Sequence, residues 1–511
     1  MRYIKVSLEP EPGRTLLELL ARQSRLLLSV CGGRGRCGKC RVRVLAGNVS
    51  PQAELEEVLL SADELQDGLR LACRTIPDGA IEIGIPDWLI MNSKSWAGPR
   101  PRGRDPIRRG SGSCPRSSAD VGLAVDIGTT NVVVEAFDRP SKRLIRRDSL
   151  LNPQMSFGLD VVSRISHGEA LIRDNALIRS LARLIRSWGL RVRDIRRTAV
   201  VGNTAMCHFF LGRDAKSLGT YPYLSELPLK RALNQRVIGL GRKPVIVLPM
   251  IGAYLGADTV AGLVASRQHR SRKLSLLIDL GTNGEIVLGN RNRLLACSTA
   301  AGPALEGANL SCGVLARPGA VVDVAFHVGQ LDFTVRRRHR PIGFCGSALI
   351  KLLSLLRGHG RIDASGRIKD AGPILLVPAE ASGTGREITL TQADVRELQL
   401  AKAAIAAGIR ILLREWGAKS RDIRRINLTG LLGGRLDLGS ARSIGLLPDT
   451  RTAKLNQLPN LALDGARLAL LDPQKLPEYE SVARQTQEIV LSNHPDFSDV
   501  FVQSMSLEPW A

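Results

Sequence analysis

The segment CGGRGRCGKC, Cys31 to Cys40, sets three cysteines in the pattern Cys-x5-Cys-x2-Cys, and a fourth, Cys73 in LACRT, follows after 32 intervening residues. A [2Fe–2S] cluster needs four thiolates, and this spacing is closely related to the Cys-x4-Cys-x2-Cys…Cys arrangement that holds such clusters. Gly32, Gly33, Gly35 and Gly38 stand among them, and a loop wrapping a cluster needs left-handed backbone positions and bare N–H groups that reach sulfur. A structural zinc site would show two close cysteine pairs, where this chain has one. The metal ligands read from the sequence are therefore Cys31, Cys37, Cys40 and Cys73.

Outward from the loop, Arg41 to Val44 alternates as a half-buried strand does, and Tyr3 to Leu8 reads as another. Thr15 with Glu18 forms a capping box ahead of Leu16, Leu17, Leu19 and Leu20, and Ser61 with Glu64 announces a short helix before Cys73. Ala80 to Ile85 supplies a closing strand. This first unit spans residues 1–90. Residues 91–120 follow as a flexible basic linker rich in Pro, Gly, Ser and Arg (KSWAGPRPRGRDPIRRGSGSCPRSSAD from Lys94). Beyond it, residues 121–511 alternate strand, turn and helix signals, the grammar of an α/β unit.

At 511 residues the chain is too long for one core. Nine cysteines, an odd number unevenly spaced, argue against a secreted disulfide framework and for a reducing compartment. No apolar run reaches the ~18–20 residues of a membrane span, so the sequence reads as cytoplasmic with no membrane partner. The formal charge of +24 is spread along the chain and only 4% of residues are aromatic, which speaks against nucleic acid and for docking to an acidic protein surface.

Two related turns carry the second chemistry. In AVDIGTTN an apolar strand runs into Asp126, Gly128, Thr129, Thr130 and Asn131, and LLIDLGTNGEIVLGN repeats the design with Asp279, Gly281, Thr282, Asn283, Gly284 and Glu285. Such hairpins offer backbone N–H groups and hydroxyls to phosphate oxygens, while an aspartate holds a magnesium-bound water. A third turn, NLTGLLGGRLD, carries Gly430, Gly433 and Gly434 after an apolar strand and after the helical stretch Glu397 to Leu413. Glu306 and Asp258 read equally as cleft carboxylates or as helix-start residues. His208, and the stripe Leu349, Leu352, Leu353 and Leu356, read as core, as do Cys207, Cys297, Cys312 and Cys345.

The first unit resembles the β-grasp [2Fe–2S] ferredoxins. The second resembles the actin-like ATPase superfold, in which two ribonuclease-H-like halves clamp a nucleotide. The resemblance implies an α+β multidomain chain in which the two hairpins bind the phosphates of ATP with Mg2+, the third loop lies at the adenosine, and Asp126 and Asp279 are catalytic. Ferredoxin, linker and ATPase together resemble the reductive activators of corrinoid proteins, as do VGNTAM (from Val201), NPQMSFGLDVVSRI (from Asn152), STAAGPALEGA (from Ser298), CGSALI (from Cys345) and ELQLAKAAIAAGIRILL (from Glu397). The adenosine loop departs from that family's pattern, with Leu432 and Gly434 near where an aromatic and an asparagine are expected.

The resemblance implies an enzyme that spends ATP to pass one electron from the cluster to a Co(II) corrinoid protein, restoring the Co(I) state for methyl transfer. It also implies an electron donor of unidentified kind and homodimers. Three rival readings share parts of the pattern: an ATP-driven injector for another low-potential enzyme, an electron-transfer protein whose ATPase half is a docking scaffold, and a small-molecule kinase. Only the last leaves the ferredoxin without a purpose.

Overall fold

The computed structural model describes residues 3–510 except 24, 25, 28, 88, 92–119, 238, 241, 242, 328, 329, 451 and 452. Most of the stretch read as a linker, with Cys114, lies outside the described residues.

The N-terminal sheet has the order Tyr3–Leu8, Ile81–Pro86, Arg41–Ala46, Leu69–Leu71, all neighbours antiparallel. Helix Leu16–Arg22 turns Leu16, Leu17, Leu19 and Leu20 into its core, and both expected capping boxes form: Glu18 takes the Thr15 N–H at 2.9 Å and Glu64 the Ser61 N–H at 3.0 Å. A feature the sequence did not announce fixes the last cysteine. Buried Glu56 accepts from Arg70 at 2.8 Å and from the Leu71 N–H at 2.8 Å, which anchors the strand two residues before Cys73. Both charges are hydrogen-bonded, the condition under which a buried ion pair is tolerated.

The rest of the chain builds one sheet design twice. Val121–Ile127, Asn131–Asp138 and Arg143–Leu151 form an antiparallel meander; Ile195–Gly202 then lies parallel to the first strand and Val245–Val247 parallel to it. Ser275–Leu280, Gly284–Gly289 and Leu294–Thr299 repeat the meander, and Arg425–Thr429 and Lys454–Gln457 repeat the parallel pair. These are two ribonuclease-H-like halves, so the fold is the α+β ferredoxin–actin-like architecture. Helix Gln392–Trp416, longer than its expected core, is capped by Thr391 with Asp394 and stopped by left-handed Gly417. Cys207, Cys297, Cys312, Cys345, and the leucine stripe from Leu349 to Leu356, are buried. His208 is buried too, its Nδ1 2.8 Å from Thr204 O.

The halves meet through helices. Ala257–Ser266 and Leu461–Leu471, each following the last parallel strand of its half, pack on each other, and the second belongs to the core of the first half. Close approach depends on a missing side chain, because a Cβ on Gly465 would lie 2.6 Å from Ala261 Cβ. Gly465→Val is therefore expected to cost about 1–3 kcal/mol by overpacking this contact, read as a lowered melting temperature. An unchanged melt would mean that the helices slide freely.

Candidate functional site

The four cysteines of the first motif converge. Gly32, Gly33, Gly35 and Gly38 all adopt positive φ, between 60° and 85°, and wind the loop so that backbone N–H groups of Arg34, Arg36 and Cys37 point at the Cys31 sulfur and that of Gly35 at Cys73. The thiols face one another as two pairs, Cys31 with Cys37 and Cys40 with Cys73. In each pair one thiol donates to the other. The hydrogen bond from Cys37 pulls Cys31 down to about 4 and pushes Cys37 up; the bond between Cys40 and Cys73 raises Cys40 and lowers Cys73. Among the described residues no three His, Cys, Asp or Glu side chains are placed on a single metal ion. Two thiol pairs inside a cage of N–H donors instead fit a binuclear cluster, two thiolates to each iron.

A cleft between the halves collects the second constellation. It is lined by Asp126, Gly128, Thr129, Thr130 and Asn131 from the first hairpin, Asp279, Gly281, Thr282 and Asn283 from the second, and Gly430. Parallel pairing accounts for this, since strands Val121–Ile127 and Ser275–Leu280 end at the same edge as their parallel neighbours. Gly430 has φ of 86° and a Cβ there would strike Asp279 Oδ1 and Leu280 O, so only glycine lets the third loop approach the second hairpin. Gly284, Gly433 and Gly434 do not line the cleft: Gly284 lies under Ile405 and Thr299, while Gly433 O accepts from Gln457 Nε2 at 3.0 Å.

Residues not assigned from the sequence complete the cleft. Asn460 Nδ2 donates to Asp126 Oδ2 at 2.6 Å, and Asn203 and Pro459 line the wall beside Glu285 of the second hairpin motif. A signal for Asn460 existed. Leu248-Pro249-Met250 and Leu458-Pro459-Asn460 each leave the last parallel strand of a half, an internal repeat whose second copy brings Pro459 and Asn460 to the cleft. Glu306 and Asp258 prove to be cleft residues, and Asp258 also opens helix Ala257–Ser266. Glu306 accepts from Thr130 and Thr282 at 2.8 Å each, and the Thr129 and Thr282 hydroxyls are 2.9 Å apart, so the two hairpins touch.

The cleft carboxylates are crowded. Burial raises Asp126 to about 7, Asp258 to about 6 and Asp279 to about 8, with neighbouring carboxylates adding to the rise at Asp126 and Asp279, and burial lifts Glu285 and Glu306 as well. Near neutral pH such a set stays partly protonated, and a cation among the carboxylates would favour the ionised form.

The comparisons agree with this geometry. Residues 3–78 match the model of the 2Fe-2S iron-sulfur cluster binding domain, 121–271 the RACo middle region, and 273–510 the C-terminal domain of RACo, the ASKHA domain. The chain is similar to the corrinoid activation enzyme RamQ of Eubacterium limosum, with 35% identity over 414 residues that cover 75% of this chain and 70% of the relative. It is also similar to the Co(II) methylated amine-specific corrinoid protein reductase of Methanosarcina barkeri, at 24% identity, covering 75% of this chain and 76% of the relative. A solved reductive activator for corrinoid, iron-sulfur protein superposes with a TM-score of 0.68 at 28% identity, covering 99% of this chain and 98% of its own. With a [2Fe–2S] domain, a nucleotide-binding actin-like domain and relatives of this kind, the chain belongs to the family of reductive activators of corrinoid proteins.

Proposed function

We propose that this chain is the ATP-dependent reductase that returns a corrinoid protein from Co(II) to Co(I), one electron at a time. The observation that carries the reading is the presence in one molecule of a four-thiol cage and a two-hairpin nucleotide cleft, joined through Asn152 and Arg164. When bound, the cluster supplies single electrons at about −400 mV, and ATP supplies the driving force that such a donor lacks.

In this reading Cys31, Cys37, Cys40 and Cys73 hold the cluster within residues 1–90. Residues 91–120 tether it to residues 121–511. The N–H groups and hydroxyls of Gly128, Thr129, Thr130, Asn131, Gly281, Thr282 and Asn283 take the phosphates, and Gly430 admits the adenosine side. Asp126, held by Asn460, and Asp279 orient Mg2+ and water. Each ~59 mV by which the corrinoid couple lies below the donor is a tenfold handicap. A rearrangement of the two halves on nucleotide binding offsets it if the nucleotide-bound form binds the corrinoid protein better in its reducible state. The chain works in the cytoplasm, is reloaded by a separate donor, and pairs as a homodimer. The experiment is anaerobic: chain, corrinoid protein and titanium(III) citrate, with and without MgATP, followed by the cobalt absorption bands. Co(I) is expected only with MgATP; equal Co(I) without it sinks the reading.

Magnesium uptake has a pH signature. Cation entry must expel protons from Asp126, Asp258 and Asp279, whose values lie at about 7, 6 and 8. Binding of Mg2+ with a non-hydrolysable ATP analogue is expected to weaken by at least about tenfold from pH 8 to pH 6, and by about a thousandfold where all three protons must leave, with proton release visible in calorimetry in two buffers. A flat profile would place the cation away from these aspartates.

A further inference from the structure

The ferredoxin unit rests on both halves of the ATPase at once. On the first half Gly32 and Gly158 meet backbone to backbone: a Cβ on Gly32 would lie 2.9 Å from the Phe157 carbonyl carbon and 3.1 Å from Gly158 Cα. Beside them the Leu159 N–H donates to Val30 O at 3.4 Å. On the second half Lys39 Nζ donates to Leu310 O at 2.8 Å, and Arg386 pairs with Glu64 at 2.7 Å. Between these anchors Val30 and Cys37 pack into an apolar patch from both halves, Leu151, Met155 and Leu159 on one side and Ala308 and Leu315 on the other. A unit that bridges two bodies keeps all its contacts at only one relative orientation of those bodies.

The seat is also tied to the nucleotide loops. Asn152, which caps the turn Pro153–Phe157 beneath the cluster loop, donates its N–H to Thr130 O and its Nδ2 to Gly128 O, both at 2.9 Å. Fully buried Arg164 donates Nε to Gly158 O at 2.9 Å and Nη2 to Thr129 O. One side chain thus holds the glycine under the cluster loop and the first phosphate hairpin together. On the opposite side Glu306, two residues before Ala308, grips Thr130 and Thr282. Because the Thr129 and Thr282 hydroxyls already touch, phosphates that enter between the hairpins must part them. Parting them moves the carbonyls on which Asn152 and Arg164 depend.

We propose that docking of the ferredoxin on this two-sided seat and uptake of nucleotide in the cleft oppose each other, with Asn152 and Arg164 as the positioning residues that couple them, so that ATP releases the cluster loop toward the partner. In the docked form Gly32 and the Cys37 side of the loop are covered by the ATPase, a poor arrangement for handing an electron to another protein. The idea rests on the corrinoid-activator reading for its purpose only, and its test contains no corrinoid protein, so either can fail alone.

The test is amide hydrogen exchange on the full-length, cluster-loaded chain, with calorimetric measurement of Mg2+–AMPPNP affinity. Saturating Mg2+–AMPPNP is expected to speed exchange about tenfold at residues 30–38 and at 157–159 together, since both faces of the seat open. Arg386→Glu, an exposed change outside cluster and cleft, should raise exchange at the same amides without nucleotide. By thermodynamic reciprocity it should also tighten AMPPNP binding severalfold. Arg164→Gln should bind nucleotide yet lose most of the nucleotide effect on exchange; should it fail to fold, the first two comparisons still decide. Exchange that is unchanged or slowed by AMPPNP, or an Arg386→Glu chain with wild-type nucleotide affinity, overturns the proposal.

Discussion

Cys40→Ser is expected to abolish the visible absorption of the reconstituted chain and reduce corrinoid reduction to background, while ATP binding survives. Cys40 is buried against Cys73 and shares a hydrogen bond with it, so the change removes one thiolate from a cage whose N–H donors already aim at sulfur. Nucleotide binding lies in the separate cleft. The control is Cys345→Ser. Cys345 sits at the N-cap of helix Gly346–Gly358 and makes no capping bond there, so a serine keeps the cluster and adds about 0.5–1 kcal/mol of stability. Equal loss of colour in both variants would show that the colour reports folding rather than ligation.

Asp279→Asn is expected to do two opposite things: remove ATP-dependent reduction and make the nucleotide-free chain more stable. The Asp279 carboxyl is raised to about 8 by burial and by Asp258 and Asp126, far above its ordinary value of 3.8. A carboxyl whose folded value exceeds its unfolded one contributes its full stability below the unfolded value and loses it as pH rises through the folded one. Asparagine escapes that loss. The gain should therefore be small near pH 4 and grow to ~1–2 kcal/mol at pH 8, discounted for the water that the cleft admits. Melting curves at the two pH values read it. A variant less stable than the parent at pH 8 would mean that the carboxylate has a favourable partner in the folded chain.

What the sequence made legible was local. Cysteine spacing, capping boxes at Thr15 and Ser61, and the two Gly-Thr hairpins need only neighbours in the chain, and each formed where its residues stand. Asn203, Asp258 and Asn460 were harder because they reach the cleft only through parallel strand pairing and helix packing between distant segments. Gly284 reads as a loop glycine beside Asn283, yet the second hairpin closes one residue sooner than the first, which leaves Gly284 as the first residue of its strand under Ile405. The seat of the ferredoxin had no local signature at all. Gly32 and Gly158 are each ordinary turn glycines until the fold brings them face to face.

The most direct measurement is a single turnover. The chain is reduced by one electron per cluster, freed of excess reductant, and mixed with a Co(II) corrinoid protein in the presence of MgATP, MgADP or no nucleotide, while cluster and cobalt bands are followed together. With MgATP one Co(I) should appear for each cluster oxidised, and with the other two both bands should stay still. Cluster oxidation and Co(I) yield that are the same in all three mixtures would contradict the claim that the actin-like cleft drives the electron.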